Sequence, residues 1–231
     1  MSYPSPRQPG SLGGAPMRIV LAGVDGSGKS TAARALADAF AARGIESELL
    51  AAPGGRRRLD TLARRAGTTA IRVLGARGLS LLEAGVRAAN LLRGERRLAS
   101  RARPPAVVVH DRHAVCQLAL DAARGVATPR WFSRLADRLP PADLVVYLDV
   151  PPALAAERVR RRGTDVETEA DLAAFDAAYR SLGAFPGFLR VDASGTEEEA
   201  AARVLAAVDG ALGAAVSGSP AREPRGGRAL S

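Results

Sequence analysis

Gly23-Val24-Asp25-Gly26-Ser27-Gly28-Lys29-Ser30-Thr31 is the most informative stretch of this 231-residue chain. Its spacing, G-x-x-x-x-G-K-[ST], is that of a loop that wraps a run of phosphates. Glycines at 23, 26 and 28 open backbone conformations closed to other residues, so successive N–H groups can turn inward around an anion. Lys29 is the chain's only lysine; the other basic residues among its 33 Lys and Arg are all arginine. A compact ammonium can reach between phosphate oxygens where a guanidinium is a broad planar fork. The stretch therefore reads as a nucleoside triphosphate site, with Lys29 on the β- and γ-phosphates and the Ser30 hydroxyl helping to hold Mg²⁺.

The flanks agree. Ile19-Val20-Leu21-Ala22 is a short apolar run that predicts a buried strand over 18–22, and Thr31 to Arg43 carries Leu36, Ala39 and Phe40 at helical spacing, with Gly44 as the stop. Strand, glycine loop and helix N-terminus together make an anion site. Further strands are expected at 46–51, 107–109, 144–150 and 188–191, and helices at 131–139, 153–162, 169–182 and 196–212. Residues 59–102 are helical in pattern but interrupted by glycines at 67, 75, 78, 85 and 94. Strands alternating with helices predict an α/β, three-layer P-loop NTPase fold: a central, mostly parallel sheet flanked by helices, with a short basic lid. Ligands then bind at the carboxyl ends of the strands, where the glycine loop lies.

Residues 1–16 and 214–231 are rich in Pro, Gly and Ser and are expected to be disordered tails around one domain at 17–213, with the lid at about 158–170. The formal net charge is +9, but the arginines are scattered, the densest runs being Arg56-Arg57-Arg58 and Arg160-Arg161-Arg162. Aromatics make up 4% of the chain and none interleave with these runs, so a base-stacking platform is poorly supplied and no nucleic-acid partner is expected. The N-terminus lacks the apolar core of a signal peptide, and no stretch is long and apolar enough to span a membrane. A single cysteine, Cys116, excludes an internal disulfide and suits the cytoplasm.

Two more clusters carry chemistry. His110-Asp111-Arg112-His113 follows the apolar run Val107-Val108-Val109, which puts Asp111 at the carboxyl end of a strand, facing the phosphate site. A carboxylate there can hold the metal or orient the acceptor, and Arg112 can take an anionic acceptor through two parallel hydrogen bonds. The histidines read as supporting or packing residues. Arg158-Val159-Arg160-Arg161-Arg162-Gly163 closes a helix and can swing over the triphosphate to neutralise charge on the transferred group.

With these motifs in order over roughly residues 18–210, the chain resembles the thymidylate kinases among the nucleoside monophosphate kinases. Gly23–Thr31 is similar to that family's phosphate loop, Asp111-Arg112 to its Asp-Arg pair, and Asp143–Gly163 to its strand, Asp-Val-Pro-Pro and lid helix. Val191-Asp192-Ala193-Ser194-Gly195 is similar to the loop bordering the adenine. The resemblance implies ATP and Mg²⁺, with Gly23, Asp25, Gly26, Ser27, Gly28, Lys29, Ser30, Thr31, Arg158, Arg162, Ala193 and Ser194 on the donor. It implies Lys29, Asp111, Arg112, Arg158 and Arg162 in catalysis, and Ser30 and Asp111 on the metal. Asp25, Pro53, Arg87, Asn90, Arg112, Gln117 and Asp121 then face the acceptor, a small molecule read as a nucleotide. Members are commonly homodimers.

The departures fall on the acceptor side. Arg-Glu before Pro-Gly-Gly is here Ala51-Ala52, and the aromatic that stacks on thymine is Glu83. The Asp before Arg87 is Val86. Ser-Ser and Tyr-Gln become Cys116-Gln117 and Leu120-Asp121. The expected activity is transfer of the ATP γ-phosphoryl to a nucleoside monophosphate, dTMP first. The alternatives are a kinase of the same fold acting on a nucleoside or another small molecule, and an NTP-binding switch protein without catalysis.

Overall fold

The structure is a computed structural model that describes residues 15–55, 70–163 and 167–217. Of the expected tails at 1–16 and 214–231, residues 1–14 and 218–231 lie outside the described residues, as do the Arg56–Arg58 run and part of the lid. Five strands, β1 (Met17–Ala22), β2 (Ser47–Ala51), β3 (Val107–Asp111), β4 (Leu144–Asp149) and β5 (Leu189–Asp192), form one sheet in the order β2-β3-β1-β4-β5. Every pairing is parallel, as in Ile19 opposite both Val109 and Leu144. The α/β architecture read from the sequence is the architecture present.

The helices are α1 (Lys29–Ala42), α2 (Ala70–Ala99), α3 (Ala114–Ala123), α4 (Arg130–Arg138), α5 (Pro152–Arg162), α6 (Glu169–Arg180) and α7 (Glu197–Ser217). α1 packs on α7, and α3 packs on α6. Central strands are apolar because both faces are covered: all six residues of β1 are buried, and in β4 only Asp149, at the C-terminal end, reaches the surface layer. Phe40 of α1 and Tyr147 of β4 are among the largest fully buried side chains. The edge strand β2 is only half-buried.

β1 lies between β3 and β4, so the chain leaves it toward one side and later continues on the other. Its carboxyl end is a topological switch point, where a crevice opens between the diverging connections. Gly44, at φ 71°, ends α1 as expected, and Gly163, at φ 67°, ends α5. α6 begins with a capping box, the Thr168 hydroxyl accepting from the Asp171 amide while the Asp171 carboxylate accepts from the Thr168 amide. Three elements differ from expectation. α3 was not expected at all, α2 runs through glycines 78, 85 and 94 with one kink at Gly75, and α7 continues to Ser217 rather than ending at Leu212.

Candidate active site

Gly28 caps α1 in a left-handed conformation (φ 87°), and Gly26 lies at φ 83°. A Cβ on Gly26 would stand 2.5 Å from the Ala155 carbonyl oxygen, so loop and α5 meet backbone to backbone. The positive φ at both positions is a backbone conformation that glycine adopts readily, and it lets the loop amides turn toward an anion.

Lys29 is buried, at 4% exposure. Its Nζ donates to the Val24 carbonyl at 2.5 Å and to Ser27 Oγ at 3.2 Å, with an Asp25 oxygen 3.9 Å away. Burial, joined by repulsion from Arg112, lowers its pKa from 10.5 to about 8, against the pull of Asp25 and Asp111. An ammonium so placed gains most from an incoming polyanion.

Ser30, in the first turn of α1, donates to Asp111 Oδ2 at 2.6 Å. Asp111 Oδ1 is buried and has no hydrogen-bond partner among the described residues. A hydroxyl and a carboxylate with an uncommitted oxygen, beside a phosphate loop, suit a hard divalent cation such as Mg²⁺ completed by phosphate and water oxygens. The next residue, Arg112, is the one non-glycine with positive φ (77°) among the described residues. Its Nη2 pairs with Asp25 Oδ1 of the loop. Burial alone would lower the Arg112 pKa, but the Asp25 and Asp111 carboxylates more than reverse it, so Arg112 is a fixed cation. Strain concentrated on this residue aims the guanidinium back across the loop.

These groups share one wall of a cavity of about 650 Å³. Asp25, Ser30, Asp111 and Arg112 line it together with Pro53, Gly54, Arg87 and Asn90. Arg87 is buried; its Nη1 donates to the Ala52 carbonyl at 2.8 Å and its Nε to Gln117 Oε1 at 3.1 Å. Asn90 Nδ2 donates to the Pro53 carbonyl at 3.0 Å, tying the Pro-Gly-Gly loop to α2. Gln117 and Asp121 do not line the cavity. Both are fully buried one layer behind it, where Gln117 Nε2 donates to Asp121 Oδ1 at 2.8 Å and positions Arg87 from below.

Arg158 does not point at the loop's open side. Its Nη1 donates to the Ala193 carbonyl at 2.9 Å and to the Gly26 carbonyl at 3.4 Å, and its Nη2 to the Gly195 carbonyl. It therefore ties the phosphate loop to the β5–α7 turn. Arg162 is exposed in the last turn of α5 and does not line the cavity. Ala193 is buried and its amide donates to the Asp149 carbonyl at 2.7 Å; Ser194 lines a second hollow with Asp149, Pro151 and Arg190. Thr31 Oγ1 donates to Glu197 Oε2 at 2.6 Å, joining α1 to α7.

The two histidines behave as supports. Burial holds both pKa values low, His113 at about 3 and His110 well below the usual range, so both rings are neutral. Arg18, which grips Glu95 with two hydrogen bonds of 2.6 and 2.8 Å, lies beside His110. Three cavity features were not read from the sequence: Phe175 of α6, Arg93 of α2, and an ion pair between Glu83 and Arg124. The pair's members lie 41 residues apart, with no local pattern linking them.

A family model described as thymidylate kinase matches residues 21–204. The chain is 39% identical over 103 residues to a thymidylate kinase of Akkermansia muciniphila, a match covering 44% of this chain and 50% of that protein. It is 33% identical over 150 residues to a probable thymidylate kinase of Pyrococcus horikoshii, covering 64% and 72% respectively. Against a probable thymidylate kinase of Pyrobaculum aerophilum it is 30% identical over 189 residues, covering 80% of this chain and 93% of the relative. The matched residues run from the end of β1 into α7 and so take in the phosphate loop, Asp111-Arg112 and the lid helix: the chain belongs to the thymidylate kinase family of nucleotide kinases.

Proposed function

We propose that this protein transfers the γ-phosphoryl group of ATP to a nucleoside monophosphate in a Mg²⁺-dependent reaction, with dTMP the first acceptor to test. One observation carries the reading. The Ser30–Asp111 and Arg112–Asp25 pairs, next to Lys29 and the glycine loop, open on the same cavity that continues to Arg87 and Asn90. In-line phosphoryl transfer needs a donor cradle and an acceptor-anion site on one cavity, and little covalent help beyond that.

In this reading the amides of Gly23 to Thr31 and Lys29 hold the donor phosphates. Ser30 and Asp111 would hold Mg²⁺, which would supply positive charge to offset that of the phosphates. Arg112 grips the acceptor phosphate, and Asp25 keeps that guanidinium aimed. An acceptor phosphate oxygen bonds to the γ-phosphorus as the bond to the β–γ bridging oxygen breaks, leaving ADP. Arg158 positions the loop against Ala193 and Ser194 at the adenine edge, and Arg162 with its neighbours closes the lid. Pro53, Arg87 and Asn90 face the acceptor, with Gln117 and Asp121 supporting. A single catalytic domain at 17–213 and a cytoplasmic place belong to the same reading; no helix among the described residues is long and apolar enough to cross a membrane.

Product identification by ³¹P NMR tests it: Mg·ATP and dTMP should give ADP and dTDP. A second reading, a kinase of a nucleoside or other small molecule, draws on Glu83 standing where the family's stacking aromatic is expected. In that case dTMP is inert and a neutral alcohol is phosphorylated. Val73, Leu74, Leu81 and Leu82 are exposed on α2 and fit pairing with a second copy. Sedimentation should then give a dimer that Leu81→Glu with Leu82→Glu converts to monomer.

A further inference from the structure

The acceptor cavity holds a carboxylate with one oxygen to spare. Glu83 lines it yet is only 1% exposed. Its Oε2 accepts from Arg124 Nη1, and Arg124 also donates to Ser80 Oγ at 3.3 Å. Ser80 in turn donates to Asp121 Oδ1 at 2.6 Å. Among the described residues nothing donates to Glu83 Oε1. Four residues on, one turn along the same face of α2, Arg87 spends Nε on Gln117 and Nη1 on the Ala52 carbonyl, and Nη2 donates to no described group. Gly54 lies directly over this stripe: a Cβ there would come within 3.0 Å of Arg87 Nη2 and 3.3 Å of Glu83 Cβ. Both side chains are held from behind, and each keeps one polar atom for the cavity.

Resting on the reading of this cavity as the acceptor site for a nucleotide, we propose that Glu83 reads the acceptor's base, its Oε1 taking an N–H beside the Arg87 guanidinium. A carboxylate only accepts and a guanidinium only donates, so the pair asks for neighbouring donor and acceptor atoms on one ring edge. Thymine, uracil and guanine offer a ring N–H beside a carbonyl; cytosine and adenine offer an exocyclic amino group beside a ring nitrogen. Leu120 and Phe175 are the largest apolar side chains of the wall. Glu83 thus reads a hydrogen-bonding edge of the base and rejects one whose N–H is blocked, where a stacking ring would have been indifferent to hydrogen-bonding pattern.

The test compares the best acceptor of a monophosphate panel with its analogue fully methylated at that nitrogen, in wild type, Glu83→Gln and Glu83→Ala, reading kcat/KM. The wild type should disfavour the methylated analogue by about tenfold or more. Glu83→Ala should lower kcat/KM for the parent acceptor by a similar factor and bring the two acceptors to near equality, with KM for ATP unchanged. Equal use of both acceptors by the wild type overturns the proposal without any variant having to fold. So does a discrimination ratio that survives in Glu83→Ala. Either result leaves the kinase reading standing. If ATP binds and no monophosphate is phosphorylated, the kinase reading falls and this one falls with it.

Discussion

Ser30 Oγ donates a 2.6 Å hydrogen bond to Asp111 Oδ2, bridging the first turn of α1 to the last residue of β3. The bond leaves Asp111 Oδ1 buried and without a hydrogen-bond partner among the described residues. A carboxylate with an unmet oxygen in that position is costly in isolation and useful beside a cation. Asp111→Asn keeps the shape and removes the charge. It should lower kcat by about 100-fold or more and raise the Mg²⁺ concentration needed for half-maximal rate. EDTA should abolish turnover, and excess Mg²⁺ should restore it. An Asn variant with the wild-type Mg²⁺ dependence would take Asp111 off the metal.

Lys29→Ala should abolish turnover. The buried ammonium also gives a pH signature, because its pKa in the free protein is lowered to about 8, first by desolvation. Below that pH the group is charged and attracts phosphate; above it the free protein loses the charge. Affinity for ATP should therefore fall as pH rises through about 8, as calorimetric titration across that range would show. Stability moves the other way. Between about 8 and the unfolded value of 10.5 the unfolded chain binds more protons, so this group's penalty on the folded state shrinks as pH rises.

Arg112→Ala should raise the acceptor KM by roughly 10- to 100-fold, the scale of a lost charge-assisted hydrogen bond, while changing the KM for ATP little. Arg112→Lys should not restore it, since a point charge lacks the fork that meets Asp25 and an acceptor phosphate together. Steady-state kinetics with each substrate varied decides this, and an effect confined to ATP would assign Arg112 to the donor.

Gly26→Ala should cost both stability and nucleotide binding. The new Cβ meets the Ala155 carbonyl at 2.5 Å in a backbone at φ 83°, which disfavours any side chain by about 1–3 kcal/mol before the clash is counted. Thermal unfolding with and without ATP measures the two losses. A variant that melts like wild type and gains the same protection from ATP would show that the α5–loop contact is slack.

The sheet centre and the loop were legible because their signals are local. Ile19–Ala22 and Leu144–Val150 are unbroken apolar runs, which only strands covered on both faces can bury, and the glycines at 23, 26 and 28 sit where backbone geometry demands them. α3 was not legible. Seven of its ten residues are buried, so AVCQLALDAA has no polar face to betray a helical period. The interruptions expected at glycines 78, 85 and 94 did not occur because tertiary packing outweighs the roughly 1 kcal/mol each glycine costs a helix. The phosphate loop's own residues, Gly23 to Thr31, are consecutive in the chain. On the acceptor side Glu83 and Phe175 reach one cavity, with Arg124 and Asp121 behind Glu83, only through the fold.

The most direct measurement is coupled ADP release from Mg·ATP with dTMP, the other nucleoside monophosphates and the nucleosides, using wild type and Lys29→Ala. ADP release should depend on a monophosphate, with dTMP foremost, and this nucleotide-kinase behaviour should vanish in Lys29→Ala. Tight ATP binding with no monophosphate raising the rate above background would contradict it.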